Sequence, residues 1–349
     1  MTGSDDEARF APAPVRSRDF APARGSRADA DADADADIAA CKQILAVGSK
    51  SFAAASLLLP GRMRGPAAAF YAFCRIADDL VDFSDEPNEA VTQLTARLDR
   101  IYAGTPDDDP VDRAFARVVR DFALPRALID ALIEGFEWDA RERDYETLAE
   151  LLAYCARVAS AVGVVMTLLM GPREPRTLAR ACDLGAAMQL TNICRDVLED
   201  AERGRLYLPA AWLRERGVDP VDFVARPGHY AGDARVAEVV EAVLREADEY
   251  YLRADAGIGM LPRDARPAIR AASLIYADIG RVIREQGCDP SRGRAHTSKA
   301  RKLWLLIRAW VWPTPSGEAK HADAPVIDEC AFLIEPVVDA LPARSGDHV

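Results

Sequence analysis

FYAFCRIADDLVDF, Phe70 to Phe83, decides how the rest of the chain is read. Its apolar residues recur at three- and four-residue spacing, which predicts a helix buried on most sides. The same stretch carries Arg75, Asp78, Asp79 and Asp82. Residues four apart share a helix face, so Tyr71, Arg75, Asp78/Asp79 and Asp82 form one polar stripe, with Ala72, Phe73, Ile76, Ala77, Leu80 and Phe83 over the remainder. QLTNICRDVLEDAERGRLYLP, Gln189 to Pro209, repeats the arrangement more than a hundred residues later. There Asn192, Asp196 and Asp200 are spaced i, i+4, i+8, with Gln189 a turn before and Leu190, Ile193, Val197 and Leu198 elsewhere.

Two water-facing stripes would be the ordinary explanation, and the residue choice argues against it. Like charges at i, i+4 repel, and aspartate is a mediocre helix former. A solvated face is better served by long Glu and Lys. Short Asp and Asn side chains hold oxygens near the helix axis, which suits hard divalent cations bridging to phosphate oxygens. Both stripes are flanked by arginine, Arg75 and Arg195. Facing each other across a cavity, they would clamp Mg²⁺ between carboxylates and a diphosphate, with arginine cancelling the remaining charge. The implied chemistry is departure of diphosphate from an allylic carbon. The carbocation left behind needs a dry apolar pocket, for which SFAAASLLLP, FYAF and the helix over 158–171 are the candidates.

GSKSF, Gly48 to Phe52, adds small residues, two hydroxyls and Lys50 at an apparent helix start, a second phosphate-binding feature or an ordinary serine cap. No complete dinucleotide-binding glycine motif follows a strand and no Walker-type loop is present, so nothing supports a nicotinamide cofactor. A di-iron bundle would need two E-x-x-H pairs, and the chain has only Glu318 to His321. The four histidines lie past position 228, which disfavours a histidine-based triad.

Half of the 349 residues are hydrophobic and the net charge is −12, so the chain can build a deep core and lacks the cationic excess of a nucleic-acid binder. The seven scattered cysteines contain no C-x-x-C pair, which favours reduced thiols in the cytoplasm. The N-terminus shows no apolar signal segment, and the longest apolar run, Val158 to Gly171, reads as a core helix. Long helices are expected over 125–143, 147–169, 175–200, 233–256 and 264–286, giving an all-α single domain over 38–312. Residues 1–37, ending in alternating Ala and Asp, read as a disordered leader, and 313–349 as a flexible tail. KARKLWLLIRAWVW, Lys299 to Trp312, is open to two readings. It is a last core helix, or an interfacial helix that docks peripherally on the inner face of an anionic membrane. The oligomeric state stays open.

From about 40 to 305 the chain resembles the squalene/phytoene synthase family, most closely its bacterial phytoene-forming branch. GSKSF, YAFCRIADDLVD, AVGVVMTLLMG, QLTNICRDVLEDAERGRLYLP and RAHTSKARKL fall in the family's order and spacing. The resemblance implies the all-α isoprenoid synthase fold with a central cavity, and Mg²⁺- or Mn²⁺-dependent head-to-head condensation of two prenyl diphosphates. It assigns metal binding to Asp78, Asp82, Asn192, Asp196 and Asp200. Diphosphate or metal contacts fall to Ser49, Lys50, Ser51, Tyr71, Arg75, Gln189, Arg195 and Tyr276, with Phe52 walling the cavity. Tyr71, Asp78, Asp82, Asp196 and Asp200 are thereby implied in catalysis. Some dehydrosqualene-forming relatives have His where this chain has Gly48.

For the phytoene-forming branch the substrate is geranylgeranyl diphosphate, the intermediate prephytoene diphosphate, and no reductant is used. Alternatives are a relative using farnesyl diphosphate, or an inactive binding relative, which the intact acidic motifs disfavour. Five extra carbons add on the order of 4 kcal/mol of binding, so a C15-specific enzyme must block its pocket floor with bulk. The sequence does not show which side chains form that floor.

Overall fold

Helix after helix starts on a proline or a capping oxygen. Asp109 accepts from the backbone N–H of Val111 and Asp112 ahead of Pro110, Thr147 caps Glu150, and Asp233 caps Arg235. The computed structural model describes residues 27–48, 50–311 and 319–340, and no strand occurs among them. Its helices are α1 (Arg27–Gly48), α2 (Lys50–Ser56), α3 (Gly61–Asp82), α4 (Pro87–Tyr102), α5 (Pro110–Phe122), α6 (Arg126–Ala140), α7 (Leu148–Cys155) and α8 (Ala161–Met170). They continue with α9 (Pro175–Glu202), α10 (Ala210–Glu215), α11 (Pro220–Ala225), α12 (Ala234–Ile258), α13 (Arg266–Glu285), α14 (Lys299–Val311), α15 (Ala319–Ala322) and α16 (Ala331–Asp339). The five long helices expected from periodicity are present within a few residues.

α9 is the axis of the molecule, packed along its length on α12 and flanked by α8 and α13. A π turn, Ala156–Ser160, joins α7 to α8 and presses on α9. A Cβ at Gly185 would fall 2.6 Å from the Ala159 carbonyl oxygen, and one at Gly163 would fall 2.6 Å from that of Ala181. Only glycine permits this approach, and Ser160 Oγ donates to the Cys182 carbonyl at 2.8 Å across the same contact. Leu148–Met170 is long and apolar enough to cross a membrane. Leu151, Cys155, Val164 and Val165 are instead fully buried in the core, the last two within the run Val158 to Gly171 expected as a core helix.

α3 buries Phe70, Phe73, Ala77 and Val81, and the rings of Phe70 and Phe73 stack on Phe115 of α5 at 5.8 and 4.4 Å. Each such ring contributes about 1.5–3 kcal/mol by leaving water. That burial fixes the rotation of α3 and turns its polar stripe toward α9.

Residues 1–26, 313–318 and 341–349 of the two expected loose ends lie outside the described residues, and the parts that are described, 27–37 and 319–340, depart from the expectation. The stretch expected as a disordered leader is helical from Arg27, and Asp37 is buried between Arg113 and Arg117 at 2.6 and 2.7 Å. Alanine is the best helix former, so the alternating Ala-Asp run is no barrier to a helix that tertiary contacts hold. The stretch expected as a flexible tail docks over 319–340, where Cys330, Leu333 and Val337 are fully buried. Arg180 donates to the carbonyls of His321, Ala322, Ala324 and Pro325, and is itself paired with buried Asp183. A basic side chain more than 130 residues away thus satisfies a backbone that its own proline-rich sequence leaves irregular.

Candidate active site

An apolar cavity of about 290 Å³ lies between α3, the π turn, α8, α9, α12 and α13. Tyr71 and Cys74 of α3, Gln189 and Asn192 of α9, and Tyr276 of α13 line one end of it. Asp78 and Asp82 lie one and two turns further along α3, and Asp196 and Asp200 hold the matching places on α9. The site is therefore a dry pocket with a polar rim. Among the described residues its wall is mostly aliphatic and thioether, with Phe70, Tyr71 and Tyr276 the aromatics. None of the described lining residues comes from SFAAASLLLP.

Arginines brace every acidic motif. Arg75 donates from Nε to Asp79 at 3.1 Å and lies 3.4 Å from Asp78, so Asp79 steadies the guanidinium rather than facing α9. Arg195 reaches Asp196 at 2.8 Å, and Arg294, from the loop before α14, reaches Asp196 at 3.0 Å and Glu199 at 3.4 Å. Arg205, just past α9, donates to Asp82 at 2.8 Å and so ties the second motif to the first. Burial, with repulsion from Asp82, pushes the Asp78 carboxyl up to about 6. Burial, with repulsion from Asp196, pushes Asp200 up to about 7. Burial and a neighbouring like charge both disfavour the ionised form of a carboxyl in this way.

Behind the stripes stands a group that spacing did not reveal. Asp139 of α6 accepts from Tyr207 Oη at 2.6 Å and Tyr154 Oη at 2.9 Å, and burial pushes its carboxyl up to about 6. Asp139, Tyr154, Arg205, Tyr207 and Arg294 are the site residues that the sequence reading passed over. GRLYLP and RAHTSKARKL carry three of them inside quoted motifs, whereas nothing around Asp139 separates it from a solvated acid.

The donor set suits a hard divalent cation, since it consists of carboxylates and one amide oxygen. Asn192 Oδ1 is buried without a hydrogen-bond partner, an acceptor left over on the face that carries Asp196 and Asp200. Asp78, Asp82 and Asp196 meanwhile each rest against arginine, and no group of three or more His, Cys, Asp or Glu side chains placed to hold a metal ion occurs among the described residues. Tyr71 stands beside Gly48, where a Cβ would lie 2.5 Å from its hydroxyl, and burial pushes that hydroxyl up to about 12. Ser49 lies outside the described residues, and so do the side chains of Lys50, Ser51 and Phe52.

Residues 45–301 match the family described as squalene/phytoene synthase. A phytoene synthase of Rhodobacter capsulatus is 52% identical over 77% of this chain and 79% of its own length. A 15-cis-phytoene synthase of Pantoea ananas is 37% identical over 76% of this chain and 89% of its own. Among solved structures, a dehydrosqualene synthase superposes with a TM-score of 0.73 at 31% identity, covering 80% of this chain and 97% of its own. A squalene synthase from Alicyclobacillus acidocaldarius gives 0.68 at 25%, covering 74% and 97%.

Proposed function

Because this chain belongs to the squalene/phytoene synthase family, we propose that it acts as a phytoene synthase, joining two geranylgeranyl diphosphates head to head. The observation that carries the chemistry is the pair of acidic stripes at the polar rim of an apolar cavity. Asp78, Asp82, Asn192, Asp196 and Asp200 would hold Mg²⁺ or Mn²⁺, which supplies positive charge to the departing diphosphate. Arg75, Arg195, Arg205 and Arg294 stand at the same rim and receive the rest of that charge as bidentate donors.

The first C1–O bond breaks with both electrons leaving on diphosphate. C1 of that chain is attacked by the C2=C3 bond of the second substrate, and a proton is lost as the cyclopropane of prephytoene diphosphate closes. Loss of the second diphosphate opens the ring, and a second proton loss gives phytoene, with two diphosphates released and no reductant consumed. The cavity wall of Phe70, Val162, Met166 and Leu184 keeps water from the cations. Incubation with geranylgeranyl diphosphate and Mg²⁺ or Mn²⁺ should yield phytoene by chromatography. Asp82→Ala and Asp196→Ala should each lower kcat by roughly a hundredfold or more, the scale on which one charge-stabilising group acts. Full activity in either variant rules the site out.

The enzyme works, on this reading, in the cytoplasm at the inner face of a membrane. Leu303, Trp304, Ile307, Trp310 and Val311 are exposed along α14, while Leu305 and Ala309 hold it to the body. All ionisable residues of α14 are basic in a chain of net charge −12, and Arg301 and Arg308 lie over the Trp304 ring at 4.6 and 5.5 Å. An amphipathic basic helix of this kind suits anionic headgroups. Trp312 lies outside the described residues. Flotation with phosphatidylglycerol vesicles should retain the protein, and Ile307→Ser/Trp310→Ser should release it. Equal flotation of the variant overturns the placement.

A further inference from the structure

The cavity runs along α9 from Gln189 and Asn192 at the polar rim to Thr177 at the far end. Twelve residues separate Gln189 from Thr177, so at about 1.5 Å per residue this wall is about 18 Å long. A prenyl chain of four isoprene units has sixteen main-chain carbons. With C–C bonds of about 1.5 Å in zigzag it extends to roughly 19 Å, and the three-unit chain to roughly 14 Å. Each isoprene unit thus adds ~5 Å, close to the ~5.4 Å pitch of the helix beside it. Along α9, three units end level with Ala181 and four with Thr177.

The far end is closed by Met170 at the end of α8, Thr177 on α9 and Leu261 after α12, each only 6% exposed. The same three side chains line the inside of a separate surface cleft, so the floor is one side chain thick. Thr177 Oγ1 lies 3.8 Å from Met260 Sδ, and Arg266 Nε holds the Leu261 carbonyl at 2.8 Å, which fix two of the three. Beyond them the cleft presents Glu174, Arg176, Arg263 and Arg266, where a fifth isoprene unit would meet charge. One turn nearer the rim the wall is lined by Gly163 and Ala181, which leave the last ~5 Å open.

We propose that Met170, Thr177 and Leu261 form the stop that sets substrate length at four isoprene units, and that the small side chain of Ala181 keeps the final unit's space clear. This rests on the prenyl-diphosphate reading above and names what selects chain length within it. The test compares C15, C20 and C25 diphosphates side by side in the wild type, Ala181→Leu and Met170→Ala/Leu261→Ala. Thermal shift by non-hydrolysable thiolodiphosphates of the three lengths is read in parallel. A single methylene is worth about 10–200-fold in an apolar pocket. Ala181→Leu should therefore lower the C20-to-C15 ratio of kcat/KM at least about tenfold, and the opened floor should raise the C25-to-C20 ratio by a similar factor.

Thr177→Met shortens the pocket from the floor and serves if Ala181→Leu fails to fold. Ratios within twofold of wild type in cooperatively melting variants, in turnover and in analogue binding, overturn the stop. Failure of the wild type to convert any prenyl diphosphate overturns the functional reading separately, because the length ranking is still read from analogue binding.

Discussion

Asp139 shows how much a single residue can hide. It sits in FEWDARERDY, where spacing offers only Arg143 four residues on, and the fold instead brings Tyr154 and Tyr207 onto it. The aspartates of the two stripes were legible because they break a local rule in a repeated way. A lone carboxylate that breaks no rule is visible only in three dimensions. Burial raises the Asp139 carboxyl to about 6, above its unfolded value near 4, so it takes up a proton on folding. Its stabilising contribution is complete below pH 4 and is lost as pH rises through 6, an effect of about 3 kcal/mol. The melting temperature of Asp139→Asn minus that of the wild type should therefore increase between pH 4 and pH 7. A difference that stays flat across that range removes the buried ionisation as its cause.

Among the elements, the long helices were readable from apolar spacing and the chain ends were not. Composition judged residues 1–37 and 313–349 too polar or too rich in proline to order themselves, which describes them in isolation. What holds the described parts, 27–37 and 319–340, lies elsewhere in the chain. Asp37 is 1% exposed, and its two partners belong to α5. Removing the carboxylate in Asp37→Ala should cost about 2 kcal/mol, the scale of hydrogen bonds to charged groups. Urea unfolding followed by circular dichroism would show a lowered midpoint with an unchanged slope. An unmoved midpoint means that α1 does not depend on this contact. The π turn was likewise invisible, since ARVAS, Ala156 to Ser160, is an ordinary helical sequence and the extra residue is imposed by the glycine contacts with α9.

For the molecule as a whole, the docking of the chain beyond Ala319 has a consequence in time. Arg180 and Asp183 are made early, and the carbonyls that complete their surroundings belong to residues synthesised much later. The first of them, on His321, follows Arg180 by 141 residues. At about 5–20 residues per second, a ribosome-bound chain carries that guanidinium for roughly 7–28 s before its acceptors exist. The stem of Arg180 also lines the cavity, against Gly257. The cavity wall at Arg180 therefore gains its last hydrogen bonds only after every lining side chain has been made, so the chamber is walled before that part of the wall is fastened.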